Sequence, residues 1–266
     1  MKSEKKRINF PAFKNISMRK TVLITGGSRG IGRSTAIKFS EEGYKVIFTY
    51  KSNREAAKKT FNLLTGEGHE AIMLDLCDPL QIKKMAEEVL ENHAKIDVLV
   101  NNAGIFEEHK IDQVTYDQWQ QSFRNIMDTN LIGLANITFL IAQNMMKQKA
   151  GHIINVSSRG AFRGEPDFPA YGASKGALNS LSQSLAKTLG RYNISVVAVA
   201  PGFVNTDMAA ATLESHIGDF IRKESPFGRV ASPEEVAHTI YFLAQDEATF
   251  LSGGIVDING ASFLRM

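Results

Sequence analysis

A chain of 266 residues with 43% hydrophobic and 22% charged side chains has the composition of an ordinary globule, too apolar for general disorder and sufficient for one large α/β domain. Its 31 basic and 28 acidic residues nearly balance, which neither requires nor forbids anionic ligands and gives no sign of a nucleic-acid binder. A single cysteine, Cys77, excludes an internal disulfide framework, and no histidine stands at zinc-ligand spacing from it, so the expectation is a metal-free protein of the reducing cytoplasm.

Residues 1–18 are basic at the front but lack the apolar run of a secretion signal, so they are set apart as an N-terminal extension, with the domain taken as 19–266. Seven short apolar runs then read as strands: TVLIT, KVIFTY, EAIML, DVLVN, HIINVS, ISVVAVA and GIVDI. Runs this continuously apolar predict strands covered on both faces. The stretches 30–42, 55–65, 80–92 and 171–191 between them are long enough for crossover helices. The run NLIGLANITFLIAQNMM carries Asn136, Thr138, Gln143 and Asn144, so it reads as a buried helix, packed against the core or a second subunit, and not as a membrane span. Ser232-Pro233-Glu234-Glu235 has the capping serine, first-turn proline and third-position glutamate that start a further helix. The alternation predicts a doubly wound parallel sheet of about seven strands with helices on both faces, and ligands beyond the carboxyl ends of the strands.

The segments at those ends carry the chemistry. TGGSRGIG, residues 25–32, follows the first strand, where Gly26, Gly30 and Gly32 let the backbone turn sharply, approach a pyrophosphate and open a helix whose amides face the anion. The second strand ends at Tyr50, and the following residues contain no acid to hold a ribose 2′-hydroxyl. Arg29 and Lys51 instead offer two cations for a 2′-phosphate, which favours NADP(H). Tyr171 and Lys175 lie one helical turn apart, with Ser158 thirteen positions upstream of the tyrosine. An ammonium beside a phenol favours the phenolate and moves the group toward a pKa useful for proton transfer. On its own the pair recurs freely on helix surfaces.

TGGSRGIG, NNAG at 101–104, Asn130, Ser158, YGASK at 171–175 and PG at 201–202 stand in the order found in short-chain dehydrogenases/reductases. From about Arg19 onward the chain resembles that family, and within it the 3-oxoacyl-[acyl-carrier-protein] reductases. The resemblance implies a single-domain Rossmann-like α/β fold. It implies an NADP(H) site built from Gly26, Gly27, Ser28, Arg29, Gly30, Ile31, Gly32 and Lys51, with Asp75 and Leu76 at the adenine. Asn102, Ala103 and Gly104 would line the cofactor cleft, with Pro201, Gly202, Val204 and Thr206 toward the nicotinamide. Tyr171 would donate a proton to a substrate carbonyl oxygen while Ser158 hydrogen-bonds the same oxygen; Ser157 takes a structural role. Lys175 would bind the nicotinamide ribose and keep the tyrosine acidic, and Asn130 would anchor a water that relays protons through the lysine.

The implied reaction is NADPH-dependent reduction of a 3-oxoacyl thioester. A free ketone, alcohol, sugar or steroid remains open as substrate, as does a non-catalytic NADP(H) sensor. The implied assembly is a homotetramer paired through the helices at 130 and 171, with Lys147, Lys149 and Arg191 as cations for an acyl carrier protein near the site. The segment RGAFRGEPDFPAY departs from the acyl-carrier-protein reductases: Phe162, Arg163, Glu165, Asp167 and Phe168 either reshape the substrate mouth or only solvate a loop. Residues 203–227 are expected to close over substrate as a lid.

Overall fold

The computed structural model describes residues 19–265, so the N-terminal extension and Met266 lie outside the described residues. Seven strands, β1 (Thr21–Ile24), β2 (Lys45–Tyr50), β3 (Glu70–Met73), β4 (Val98–Asn101), β5 (Gly151–Val156), β6 (Ile194–Pro201) and β7 (Ile255–Ile258), form one sheet in the order β3-β2-β1-β4-β5-β6-β7. Every neighbouring pair is parallel. Each apolar run of the sequence is a strand. The chain winds outward from β1 to one edge, then returns past it to the other, so the direction of winding reverses at β1 and β4. That reversal opens a crevice at the carboxyl end of the sheet.

The helices are α1 (Gly30–Glu41), α2 (Arg54–Phe61), α3 (Pro79–Asn92), α4 (Tyr116–Met127), α5 (Gly133–Gln148), α6 (Gly160–Arg163), α7 (Pro169–Leu189), α8 (Asp207–Glu214), α9 (Gly218–Glu224) and α10 (Pro233–Leu243). Strand residues alternate between two cores. Val22 and Ile24 join Phe39, Phe48 and Ile240 on the face covered by α1 and α10. Leu23 joins Ile82, Ile137, Ile141 and Leu178 beneath α3, α5 and α7. Both faces of β1, β4, β5 and β6 are therefore buried at every position. The prediction of two-sided cover fails at the edges: β3 alternates between half-buried and exposed, and no residue of β7 is fully buried.

The apolar run predicted as a buried helix is part of a longer one. From Tyr116 to Gln148 the chain is helical for 33 residues, broken only by a π turn at Asp128–Ile132. By length and composition it could cross a membrane, but half of its most apolar window is buried inside the protein. A capping box starts it, with Thr115 Oγ1 accepting from Gln118 N while Gln118 Oε1 accepts from Thr115 N. The predicted box at Ser232 and Glu235 is likewise present and starts α10.

One expectation is overturned by topology. Lys147 and Lys149 immediately precede β5, and Arg191 precedes β6, so all three stand at the amino end of the sheet. A six-residue strand spans about 20 Å, which separates these cations from any ligand at the carboxyl end.

Candidate active site at the carboxyl ends of the strands

β1 delivers the chain into a loop that packs against itself. Gly26 holds a φ of +67°, and a Cβ on Gly32 would stand 2.2 Å from the Gly26 carbonyl oxygen, so the loop closes this tightly only with glycine. Arg29, at the N-cap of α1, makes no side-chain cap, and no acid occupies the first turn. The first amides and positive end of α1 are thus free to meet an anion. Neighbours brace the loop. Thr49 Oγ1 accepts from Gly26 N at 3.3 Å, and Asn102 Nδ2 donates to the Thr25 and Gly26 carbonyls at 3.0 Å each. Thr25 Oγ1 accepts from the amides of Asn102 and Ala103, tying the end of β1 to the end of β4.

A cavity of about 380 Å³ runs from this loop to the ends of β5 and β6, within the range of small-molecule sites. Its wall contains every residue predicted for the cofactor except Gly27. Gly27 faces inward, where a Cβ would meet Phe48 at 2.5 Å. Val204 is held by a bridge to Ala231, and Thr206 packs close to Gly30, where a Cβ would stand 3.1 Å from its Cγ2. The glycine loop, its uncapped helix and the long cavity together fit a dinucleotide.

Arg29 and Lys51 both line the cavity, but Lys51 is not a free cation. Its Nζ stands 3.0 Å from Asp75 Oδ2. Against the cost of burial, the Cys77 amide and the Lys51 ammonium lower the Asp75 carboxyl, and the hydrogen bond to Asp75 raises Lys51 in turn. Two residues assigned separately, one to the adenine and one to a 2′-phosphate, therefore form one ion pair. β2 and β3 are paired neighbours, so the residues just beyond their ends come together.

Ser158 emerges from β5 buried, and its Oγ accepts from Gly160 N at 3.0 Å. Ser157 takes the predicted structural role, with its hydroxyl donating to the Lys175 carbonyl at 3.3 Å. Tyr171 sits in the first turn of α7 and Lys175 one turn on, and both reach the cavity wall. Lys175 is only 3% exposed. Its Nζ donates to the Val156 carbonyl at 2.8 Å and lies 5.8 Å from the centre of the Tyr171 ring. Burial brings the ammonium down to about 8. Burial raises the Tyr171 phenol, the Ser158 hydroxyl opposes that rise, and the Glu165 carboxylate adds to it. The shift is opposite to the one expected from a lysine beside a tyrosine. The ammonium points at a carbonyl, and removing a phenolate from water dominates.

Asn130 is brought close but stays behind the wall. The π turn places its amide on Ile105, accepting from the Ile105 amide at 2.8 Å and donating to the Ile105 carbonyl at 2.9 Å. A Cβ on Gly104 would fall 3.3 Å from Asn130 Oδ1 and 3.5 Å from Lys175 Nζ, so Gly104 stands between the two.

Around Tyr171 the fold gathers further residues, of which Phe106, His109, Met208 and Ala209 carried no sequence signal. Phe106 stacks on Phe168 at 3.7 Å and meets Tyr171 edge-on at 4.7 Å. Buried His109 accepts from Ala170 N through Nε2, which pins the segment after β4 to the start of α7. Arg159, next to the serine, is buried against Glu224 of α9, with Nη2 to Oε2 at 2.5 Å, and donates to Ser262. Met208 and Ala209 of α8 also reach the cavity. Of the unusual charges between serine and tyrosine, Glu165 lines the cavity, Arg163 pairs with Glu224, and Asp167 pairs with Lys110. Of the five residues singled out there, Glu165 alone is part of the cavity wall.

A family model described as Enoyl-(Acyl carrier protein) reductase matches residues 26–260. The chain is 34% identical over 251 residues to the 3-oxoacyl-[acyl-carrier-protein] reductase of Staphylococcus aureus, covering 94% of this chain and 100% of that protein. To the 3-oxoacyl-[acyl-carrier-protein] reductase of Thermotoga maritima it is 37% identical over 243 residues, covering 91% of this chain and 96% of the relative. The chain belongs to the short-chain dehydrogenase/reductase family. Among solved structures, ligand-free aldohexose dehydrogenase of Thermoplasma acidophilum superposes with a TM-score of 0.81 at 29% identity, covering 93% of this chain and 95% of that one. As a short-chain dehydrogenase/reductase, the protein is an NAD(P)-dependent oxidoreductase.

Proposed function

We propose that this protein reduces the carbonyl of a 3-oxoacyl thioester with NADPH, as in fatty-acid elongation in the cytoplasm. The observation that carries the reading is that Ser158, Tyr171 and Lys175 reach the wall of the same cavity as the glycine loop. The likeness to two 3-oxoacyl-[acyl-carrier-protein] reductases supports the thioester. NADPH, when bound, supplies the hydride. Gly26, Ser28, Arg29, Gly30, Ile31 and Gly32 would hold its phosphates, Lys51, Asp75 and Leu76 its adenosine end, and Asn102, Ala103, Gly104, Pro201, Gly202, Val204 and Thr206 its remaining length.

Tyr171, kept protonated by burial, gives its proton to the carbonyl oxygen. Ser158 Oγ accepts from Gly160 N, and its own proton, which otherwise favours the Tyr171 oxygen, turns to the same carbonyl oxygen and steadies the charge that develops there. Once the phenol has given up its proton, the Lys175 ammonium favours the phenolate left behind. Asn130, with its amide engaged on Ile105, has a further lone pair on Oδ1 toward Gly104, where a water would connect it to Lys175. Ser158 and Tyr171 serve one oxygen atom, which suits C=O reduction better than the enoyl reduction named by the family model.

Residues 203–227, including α8 and α9, act as the lid. Ile132 and Phe139, 48% and 64% exposed on the long helix, support pairing with further copies in a homotetramer. A second reading, a free polyhydroxy carbonyl as substrate, is favoured by Glu165 in the cavity and by the likeness to an aldohexose dehydrogenase.

The test is NADPH oxidation with acetoacetyl-CoA, a carrier-bound 3-oxoacyl substrate and simple ketones. Preference for the thioesters is expected, and turnover of free carbonyls alone would discard them. Tyr171→Phe should lower kcat by about 10³-fold while NADPH still binds, and undiminished turnover would remove the acid role.

A further inference from the structure

Glu165 enters the cavity through a gap left by a missing side chain. After α6 the chain turns at Gly164, with φ at +76°, and the Glu165 side chain folds back across Gly160. A Cβ on Gly160 would stand 2.8 Å from Glu165 Oε1 and 2.9 Å from its Cγ. The side chain is 14% exposed, and it lines the cavity that Tyr171 and Ser158 also line. Burial is the largest influence on its carboxyl and raises it.

The surrounding cations are largely committed elsewhere. Arg163 Nη1 donates to Glu224 at 3.1 Å, and Arg159 is held between Glu224 and Ser262. The ion pair that Glu165 makes among the described residues is with Arg163 Nε at 3.5 Å, beyond the usual length of a hydrogen bond. A carboxyl buried this far ordinarily has several donors, and one whose acceptors face a cavity with so weak a partner has capacity for a ligand.

We propose that Glu165 is a substrate-recognition residue whose carboxyl accepts a hydrogen bond from a neutral donor that the substrate carries near its reacting carbonyl. The inference rests on the carbonyl-reductase reading and extends it to the substrate's second functional group. The donor is either the amide N–H of a pantetheine-type thioester or the hydroxyl of a polyhydroxy carbonyl compound. Both present the same chemistry to the carboxyl.

The experiment compares wild type with Glu165→Leu and Glu165→Gln on three probes: S-acetoacetyl-N-acetylcysteamine, which carries an amide donor and no hydroxyl, dihydroxyacetone, which carries hydroxyls, and ethyl acetoacetate, which carries neither. Steady-state kinetics is paired with calorimetric binding of the corresponding alcohols to enzyme loaded with NADPH, a complex with no hydride acceptor and therefore a readout that needs no turnover. Glu165→Leu should lower kcat/KM for the preferred donor-bearing probe at least about tenfold, through KM, and weaken its alcohol similarly. Ethyl acetoacetate should change less than the preferred donor-bearing probe, since it meets the substitution only through the carboxylate's influence on the Tyr171 phenol. Glu165→Gln, which keeps an acceptor, should recover most of the loss. Whichever donor-bearing probe responds identifies the source of the donor.

Equal losses on all three probes would assign Glu165 a structural role and overturn the proposal. So would unchanged kinetics and binding, or wild type binding the alcohols that carry a second donor no better than ethyl 3-hydroxybutyrate, whose one hydroxyl is the reacting group. Wild type that binds them through Glu165 but turns over no carbonyl would instead remove the reductase reading and leave the recognition standing.

Discussion

Replacing Lys175 with methionine should make the protein more stable and inactive. The ammonium is 3% exposed, and burial brings it from 10.5 to about 8. At 1.36 kcal/mol for each pH unit, that displacement corresponds to about 3 kcal/mol of penalty for holding the charge inside. The substitution also strips the Val156 carbonyl of its donor, a loss of about 1 kcal/mol. A net gain of about 2 kcal/mol is expected at pH 7. The sign of the pH dependence follows from linkage. Below pH 8 the lysine is charged in both folded and unfolded chains, and the penalty is complete. Between 8 and 10.5 the unfolded chain holds a proton that the folded chain has released, so wild-type stability rises with pH and the advantage of methionine shrinks. Urea unfolding of both proteins at equal concentration, at pH 7 and near pH 10.5, measures it. A variant less stable than wild type at pH 7, or an advantage that persists undiminished at the higher pH, would refute the buried-charge argument. The retained penalty is then the stability cost of keeping a cation beside the phenol.

Two further outcomes test the cofactor end. Arg29→Ala combined with Lys51→Ala should raise the KM for NADPH by about tenfold or more while changing that for NADH little; equal losses for the two nucleotides would mean that these cations do not read a 2′-phosphate. Gly32→Ala, which would set a Cβ 2.2 Å from the Gly26 carbonyl oxygen, should abolish NADPH binding as followed by cofactor fluorescence, and binding at wild-type strength would show that the loop can open without cost.

Much of the architecture is local chemistry and can be read along the chain. Uninterrupted apolar runs such as VLVN and ISVVAVA are central strands because only a strand buried on both faces tolerates them, and the box at Ser232 and Glu235 starts its helix through bonds between near neighbours. The same kind of signal is present at Thr115 and Gln118, where a capping box begins α4. The glycines at 26, 30 and 32 and the set Ser158, Tyr171 and Lys175, picked out along the chain, line one cavity in the fold.

What escaped the sequence depends on residues that are distant along the chain. The Lys51–Asp75 pair exists because two strands end side by side, and the seat of Glu165 exists because Gly160 leaves room for it. Phe106 meets Phe168, and Arg159 meets Glu224, across separations of about sixty residues. The cations at 147, 149 and 191 lie at the wrong end of the sheet for the role expected of them, since a parallel strand carries the chain its full length away from whatever precedes it. Residue type and spacing specify which groups can react; which of them share a cavity, and which neutralise one another first, follows from the packing of strands and helices that only the folded chain brings together.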